Sequence, residues 1–155
     1  MKTKMNEETL QKTRVIKRVK TFKSPLSEST PCKYLGIDKI TMHEQYTQID
    51  FVYIAPKKYI NGGWIQIDSA SYIQPVNSET RYPLLEARNI SIAPTKLHFN
   101  GAGQVHRYSL IFPALPKNVN NINIIEKLAE GSYFNFFNVA LQHNTPTVIR
   151  MINEN

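Results

Sequence analysis

From residue 34 onward, apolar and polar positions alternate in short runs, and the length of those runs predicts strands. Residues 34–42, Tyr-Leu-Gly-Ile-Asp-Lys-Ile-Thr-Met, read as a first strand. Ile49, Phe51 and Tyr53 then alternate with Asp50, Val52 and Ile54. That is the two-residue period of a strand with one very apolar face and one mixed face. Residues 64–68 and Tyr72-Ile73 follow, with Ser69-Ala70-Ser71 marking a bend or bulge between them. Residues 81–88 predict another strand, whose Pro83 favours an edge or a strand start. Ile122, Ile124 and Ile125 form a short apolar anchor, and residues 125–130 one helical turn ended by Gly131. Phe134, Phe136, Phe137, Val139 and Leu141 predict the last strand.

The clearest element lies between residues 97 and 116. Leu97 and Phe99 alternate with His98, and Tyr108, Leu110 and Phe112 alternate with Arg107, Ser109 and Ile111. Asn100-Gly101-Ala102-Gly103 separates the two runs. Its glycines take positive φ freely, and a short glycine-containing loop between apolar runs predicts a β-hairpin. Pro113 and Pro116 then close the second arm, because proline donates no ladder hydrogen bond. The other strands are expected to lie against this hairpin. About seven short strands with almost no helical periodicity predict an all-β antiparallel sandwich.

At 155 residues the chain has room for one domain. Residues 24–31 have linker composition, with Pro25, Pro31 and three serines. This divides the chain into a basic flexible arm and linker (1–31), a sandwich domain (32–142) and a polar C-terminal tail (143–155).

Charge separates the same regions. Residues 1–23 hold eight basic side chains against two acidic ones, six of the chain's seven net positive charges. The body is nearly neutral. Lys12, Arg14, Lys17, Arg18, Lys20 and Lys23 are therefore a candidate anion-binding arm for nucleic acid or an anionic surface. The simpler alternative is a solvated lead-in, since Phe22 is the only aromatic residue among the charges.

A single cysteine, Cys32, excludes an internal disulfide framework and a multi-cysteine metal site. No apolar run reaches the roughly 18 residues of a membrane span. No apolar stretch follows the N-terminal charges, so no signal peptide is visible.

Candidate chemistry is sparse. His98 and His106 flank the predicted hairpin, where its ladder would bring them together, but no third ligand stands in register with them. Glu44 and Asp50, and Glu126 and Glu130, are carboxylate pairs that read as solvated side chains. Gly101-Ala102-Gly103 lacks the third glycine and the helix of a dinucleotide fingerprint. No Gly-x-Ser-x-Gly elbow occurs. No cofactor is expected. Most aromatic residues occupy strand positions and are expected in the core. The alternative for some of them is that Tyr59 and Trp64, at a loop edge beside Gly62 and Gly63, form a binding surface for a sugar or peptide.

In order and spacing, the segment from Leu35 to Leu141 resembles an immunoglobulin-like β-sandwich module of uncharacterised exported proteins of gut anaerobic bacteria. In those proteins it often precedes a thioredoxin-like thiol-disulfide oxidoreductase domain. The matching pieces are Leu35-Gly36-Ile37-Asp38-Lys39-Ile40, Ile49-Asp50-Phe51-Val52-Tyr53, and Gly63-Trp64-Ile65-Gln66-Ile67 with Ser71-Tyr72-Ile73. They continue with Arg81-Tyr82-Pro83-Leu84, Ser109–Lys117 and Ile122-Asn123-Ile124-Ile125-Glu126. The resemblance implies an exported or periplasmic setting and a non-enzymatic accessory role toward a protein partner or neighbouring domain. It brings no catalytic residue, and without a Cys-x-x-Cys the chain carries no thiol-disulfide role. Two other functions stand beside that expectation: nucleic-acid or anionic-surface binding through the arm, and a hydrolase site on the loops. The latter requires a cluster of acidic or histidine side chains that the sequence does not bring together.

Overall fold

The computed structural model describes Thr13–Arg14 and residues 34–141. Those residues form eleven strands and no helix, and every paired strand is antiparallel. The strands are β1 (Thr13–Arg14), β2 (Leu35–Met42), β3 (Tyr46–Ile54), β4 (Trp64–Ile65), β5 (Tyr72–Pro75), β6 (Tyr82–Pro83), β7 (Glu86–Arg88), β8 (Leu97–His98), β9 (Val105–Pro113), β10 (Asn121–Ile125) and β11 (Phe136–Ala140). A five-stranded sheet has the order β1-β2-β3-β9-β7, a four-stranded sheet the order β11-β10-β5-β6, and β4 and β8 make a two-stranded ribbon. The expected count of about seven is exceeded because four of the eleven strands are only two residues long.

The centre of the larger sheet is the β3–β9 pair, in register from Tyr46 opposite Pro113 to Ile54 opposite Val105. The alternation seen in the sequence now has a spatial meaning. Ile49, Phe51 and Tyr53 of β3, and Tyr108, Leu110 and Phe112 of β9, are buried on one face. Ile73, Ile122, Ile124, Phe136 and Val139 of the smaller sheet join the same hydrophobic cluster. The two sheets meet where Phe51 packs on Phe136, ring centroids 5.9 Å apart.

The predicted 97–116 hairpin does not form. The glycine turn is present, with Gln104 N–H donating to Gly101 O at 3.3 Å. Its two arms part, however. Leu97–His98 pairs with Trp64–Ile65, whereas β9 pairs with β3 on one edge and β7 on the other. On its second edge β9 carries β7 at Ser109–Ile111, and nearer the turn Asn89 Nδ2 donates to Arg107 O at 2.6 Å. The long β3–β9 ladder, rather than the local turn, decides the pairing.

Residues 81–88 likewise divide. Tyr82–Pro83 ends the smaller sheet as its edge strand, where the missing proline donor is tolerated. Glu86–Arg88 joins the larger one. Between them the chain changes sheets: Leu84 N–H donates to Ser71 O at 2.8 Å and Leu85 N–H to Ile111 O at 2.7 Å. The helical turn expected at 125–130 is absent, because Ile125 still pairs with Tyr72 at the end of β10 and the chain then bends. Thr13–Arg14, inside the segment assigned to the arm, pairs with Thr41 and Ile40 of β2. The remaining arm residues Lys12, Lys17, Arg18, Lys20 and Lys23, and most of the tail, lie outside the described residues.

Phe112 has no exposed surface and lies at the centre of the core. Phe112→Ala is expected to lower unfolding stability by about 3–5 kcal/mol, through lost transfer energy and the cavity left behind. Urea denaturation of both proteins measures this directly.

Candidate binding surface at the loop end

One end of the larger sheet is where β2 begins, β3 ends and β9 begins. Three loops gather there: 55–63, 99–104 and 126–135. The first two are joined backbone to backbone. Ala55 N–H donates to Gln104 O at 2.9 Å, Gly103 N–H to Ala55 O at 2.8 Å, and Phe99 N–H to Gly63 O at 3.0 Å. The third loop is held through Phe134, whose ring lies 5.8 Å from that of Tyr53.

Beneath the loops is an aromatic stack. Tyr53 packs on Phe99 at 5.5 Å, and Phe99 meets the edge of His106 at 5.7 Å. Burial, reinforced by Tyr59 and Tyr34, pushes the Tyr53 pKa above the ordinary phenol value, so its hydroxyl stays protonated.

The 126–135 loop is shaped by two buried polar side chains. Glu126 Oε1 accepts from Phe134 N–H at 2.8 Å and Oε2 from Asp68 N–H at 2.9 Å. Asn135 Oδ1 accepts from the N–H groups of Glu126 and Lys127, at 2.8 and 3.2 Å, while its Nδ2 donates to Lys127 O at 2.9 Å. Each group satisfies backbone donors or acceptors that the irregular loop leaves outside a ladder. The carboxylate also ties the β4–β5 connection to the loop before β11. Burial pushes the Glu126 pKa up to about 7, against the pull of the two N–H hydrogen bonds. The expectation of a solvated carboxylate at 126 is thus corrected. A cavity of about 10 Å³ lies between Phe51, Tyr108, Phe112, Ile124 and Glu126. It has room for about one water and none for an organic molecule.

The outward surface of this end carries the aromatic pair singled out in the sequence. Tyr59 is 49% exposed, Trp64 44% and Ile60, at the loop tip, 92%. Lys58 Nζ lies 5.1 Å from the Tyr59 ring and Lys96 Nζ 4.4 Å from the Trp64 ring. The 126–135 loop repeats the arrangement, with Lys127 Nζ 5.4 Å from the Tyr133 ring and Leu128 exposed. The glycines serve this surface from behind. Gly62 has φ +80 and faces the 99–101 segment so closely that a Cβ would lie 2.5 Å from Gly101 O. Gly63, φ +72, holds the Tyr59 ring against its own backbone.

The histidines are not brought together. His98 is exposed opposite Trp64 in the ribbon. His106 lies on β9, and its Nε2–H donates to Asn89 O at 2.6 Å. Among the described residues no group of three or more His, Cys, Asp or Glu side chains is placed to hold a metal. Asp50 accepts hydrogen bonds from Ser109 and Gln48, at 2.6 and 2.9 Å, within the larger sheet. Among these residues, no helix is long and apolar enough to cross a membrane. No protein-family model, no curated protein and no solved structure matches this chain.

Two measurements follow from these contacts. Glu126 binds its proton more tightly folded than unfolded, because its pKa rises from the ordinary 4.5 to about 7. Its contribution to stability is therefore complete below about pH 4.5. It is lost as pH rises toward 7, at about 1.4 kcal/mol per pH unit. Glu126→Gln sets an amide N–H₂ against one of the two backbone donors and destabilises the loop, but removes this slope. Thermal midpoints from pH 5 to 7.5 should fall more steeply for the wild type than for the variant. Gly62→Ala should cost about 2 kcal/mol or more, through the positive φ and the collision with Gly101. Gly101→Ala, where a Cβ meets nothing within 4 Å, should be nearly neutral in the same urea titration.

Proposed function

We propose that this chain is a non-enzymatic interaction module, an immunoglobulin-like β-sandwich that docks onto a partner surface through its loop end. The observation that carries this reading is the exposure of Tyr59, Ile60 and Trp64 together on joined backbone segments. Large apolar side chains exposed as a contiguous group mark binding surfaces on folded proteins. The sandwich assignment is supported by two antiparallel sheets that share one core.

One observation favours a second reading, in which Lys12, Arg14, Lys17, Arg18, Lys20 and Lys23 bind nucleic acid or another polyanion. Six of the seven net charges precede residue 24. Binding of that kind collapses with salt and leaves the loop end uninvolved.

Sedimentation of the labelled full chain in an extract of its source cells tests the docking reading without presupposing the partner. The wild type is expected to migrate with larger material and Ile60→Asp to migrate as a 17.9 kDa monomer. Identical sedimentation of the two proteins would refute it.

A further inference from the structure

We infer that the surface on which the loop end docks is an anionic lipid bilayer. The inference rests on the docking reading and names its partner. Three features carry it.

The first is shape. Ile60 and Leu128, two of the exposed apolar groups, sit on loops. Ile60 in the 55–63 loop is almost fully exposed, and Leu128 in the 126–135 loop is about half exposed. A bilayer needs only protruding apolar side chains at the depth of the headgroups.

The second is the pairing of each aromatic ring with a lysine. Lys96 covers a face of Trp64 and Lys58 a face of Tyr59. Those faces are therefore not open for a sugar or base to stack on. In a bilayer interface the same pairs are at ease. Tyr and Trp keep a polar tip toward water, and lysine lays its stem on apolar surface while its ammonium reaches the headgroups.

The third is charge. The exposed loop residues include Lys57, Lys58, Lys96 and Lys127, and the exposed carboxylate near them is Glu130. Asp68 is partly buried and Glu126 fully so. The surface is cationic around an apolar tip, which complements acidic headgroups.

Trp64 is the chain's single tryptophan, so its fluorescence reports on this surface alone. The full chain is titrated with phosphatidylcholine vesicles, either pure or containing about one-third phosphatidylserine. With the acidic vesicles the Trp64 emission should shift to the blue and be quenched by brominated acyl chains. Pure phosphatidylcholine should bind far more weakly. Ile60→Asp should weaken partitioning about tenfold or more, and Lys58→Gln about fivefold. Both side chains are exposed, so circular dichroism should show unchanged folds.

Absence of any Trp64 shift with acidic vesicles overturns the inference. So does vesicle binding that Ile60→Asp leaves intact, which would assign it to the arm's charge alone. An equal Trp64 shift on polyglutamate or a single-stranded oligonucleotide, without lipid, also overturns it in favour of a soluble polyanion. The sedimentation experiment separates the two levels. If vesicles fail but the large complex survives removal of membranes from the extract, docking stands and the lipid assignment falls.

Discussion

The antiparallel ladder between β3 and β9 is the constraint on which the rest of the molecule depends. It occupies one edge of each strand along nine residues of register. β2 lies on the far side of β3, and β7 on the far side of β9 at Ser109–Ile111. The remaining segments pair elsewhere. Leu97–His98 forms a ribbon with Trp64–Ile65, and that ribbon brings Lys96 over Trp64. The same ladder sets Phe51, Tyr53, Tyr108 and Phe112 on one face, against which the smaller sheet closes.

The second requirement is polar. A loop as irregular as 126–135 leaves backbone groups without ladder partners, and burying such groups unpaired is costly. Glu126 and Asn135 meet that need from inside the protein. A carboxylate accepts hydrogen bonds through both oxygens, and an amide both donates and accepts, so two side chains serve five backbone groups. The cost is a carboxyl group in a low-dielectric setting, which answers with a raised pKa. The loop is fixed by its buried side, and this leaves Lys127, Leu128 and Tyr133 to face outward.

Much of this was legible in residue order, and the failures have physical causes. Alternation locates β3 and β9 because each buries one face for several residues, whereas β10 reads only as a short apolar anchor. It could not show that residues 81–88 divide between sheets, since both halves keep a strand-like pattern and the switch depends on Ser71 and Ile111. The glycine turn at 101–103 was visible, but its arms were misassigned because a local turn does not compete with a nine-residue ladder. Burial of Glu126 was hidden because one of its donors, Asp68 N–H, is 58 residues away. Tyr59 and Trp64 stand out in the sequence as aromatic residues next to paired glycines. The lysines on those rings do not, since Lys96 reaches Trp64 only through the ribbon.

The ladder also has a consequence for how the chain assembles. Thr47 and Pro113 are joined across 66 residues, and Asp50 and Ser109 across 59. The β2–β3 hairpin, by contrast, needs only a three-residue loop and leaves the ribosome first. Until β9 is synthesised, β3 presents an open edge and an apolar row of Ile49, Phe51 and Tyr53. Closing so distant a pair is entropically slow, and an unpaired apolar edge recruits other chains meanwhile. The strand pair that gives the finished protein its centre is, during synthesis, the part most in need of protection.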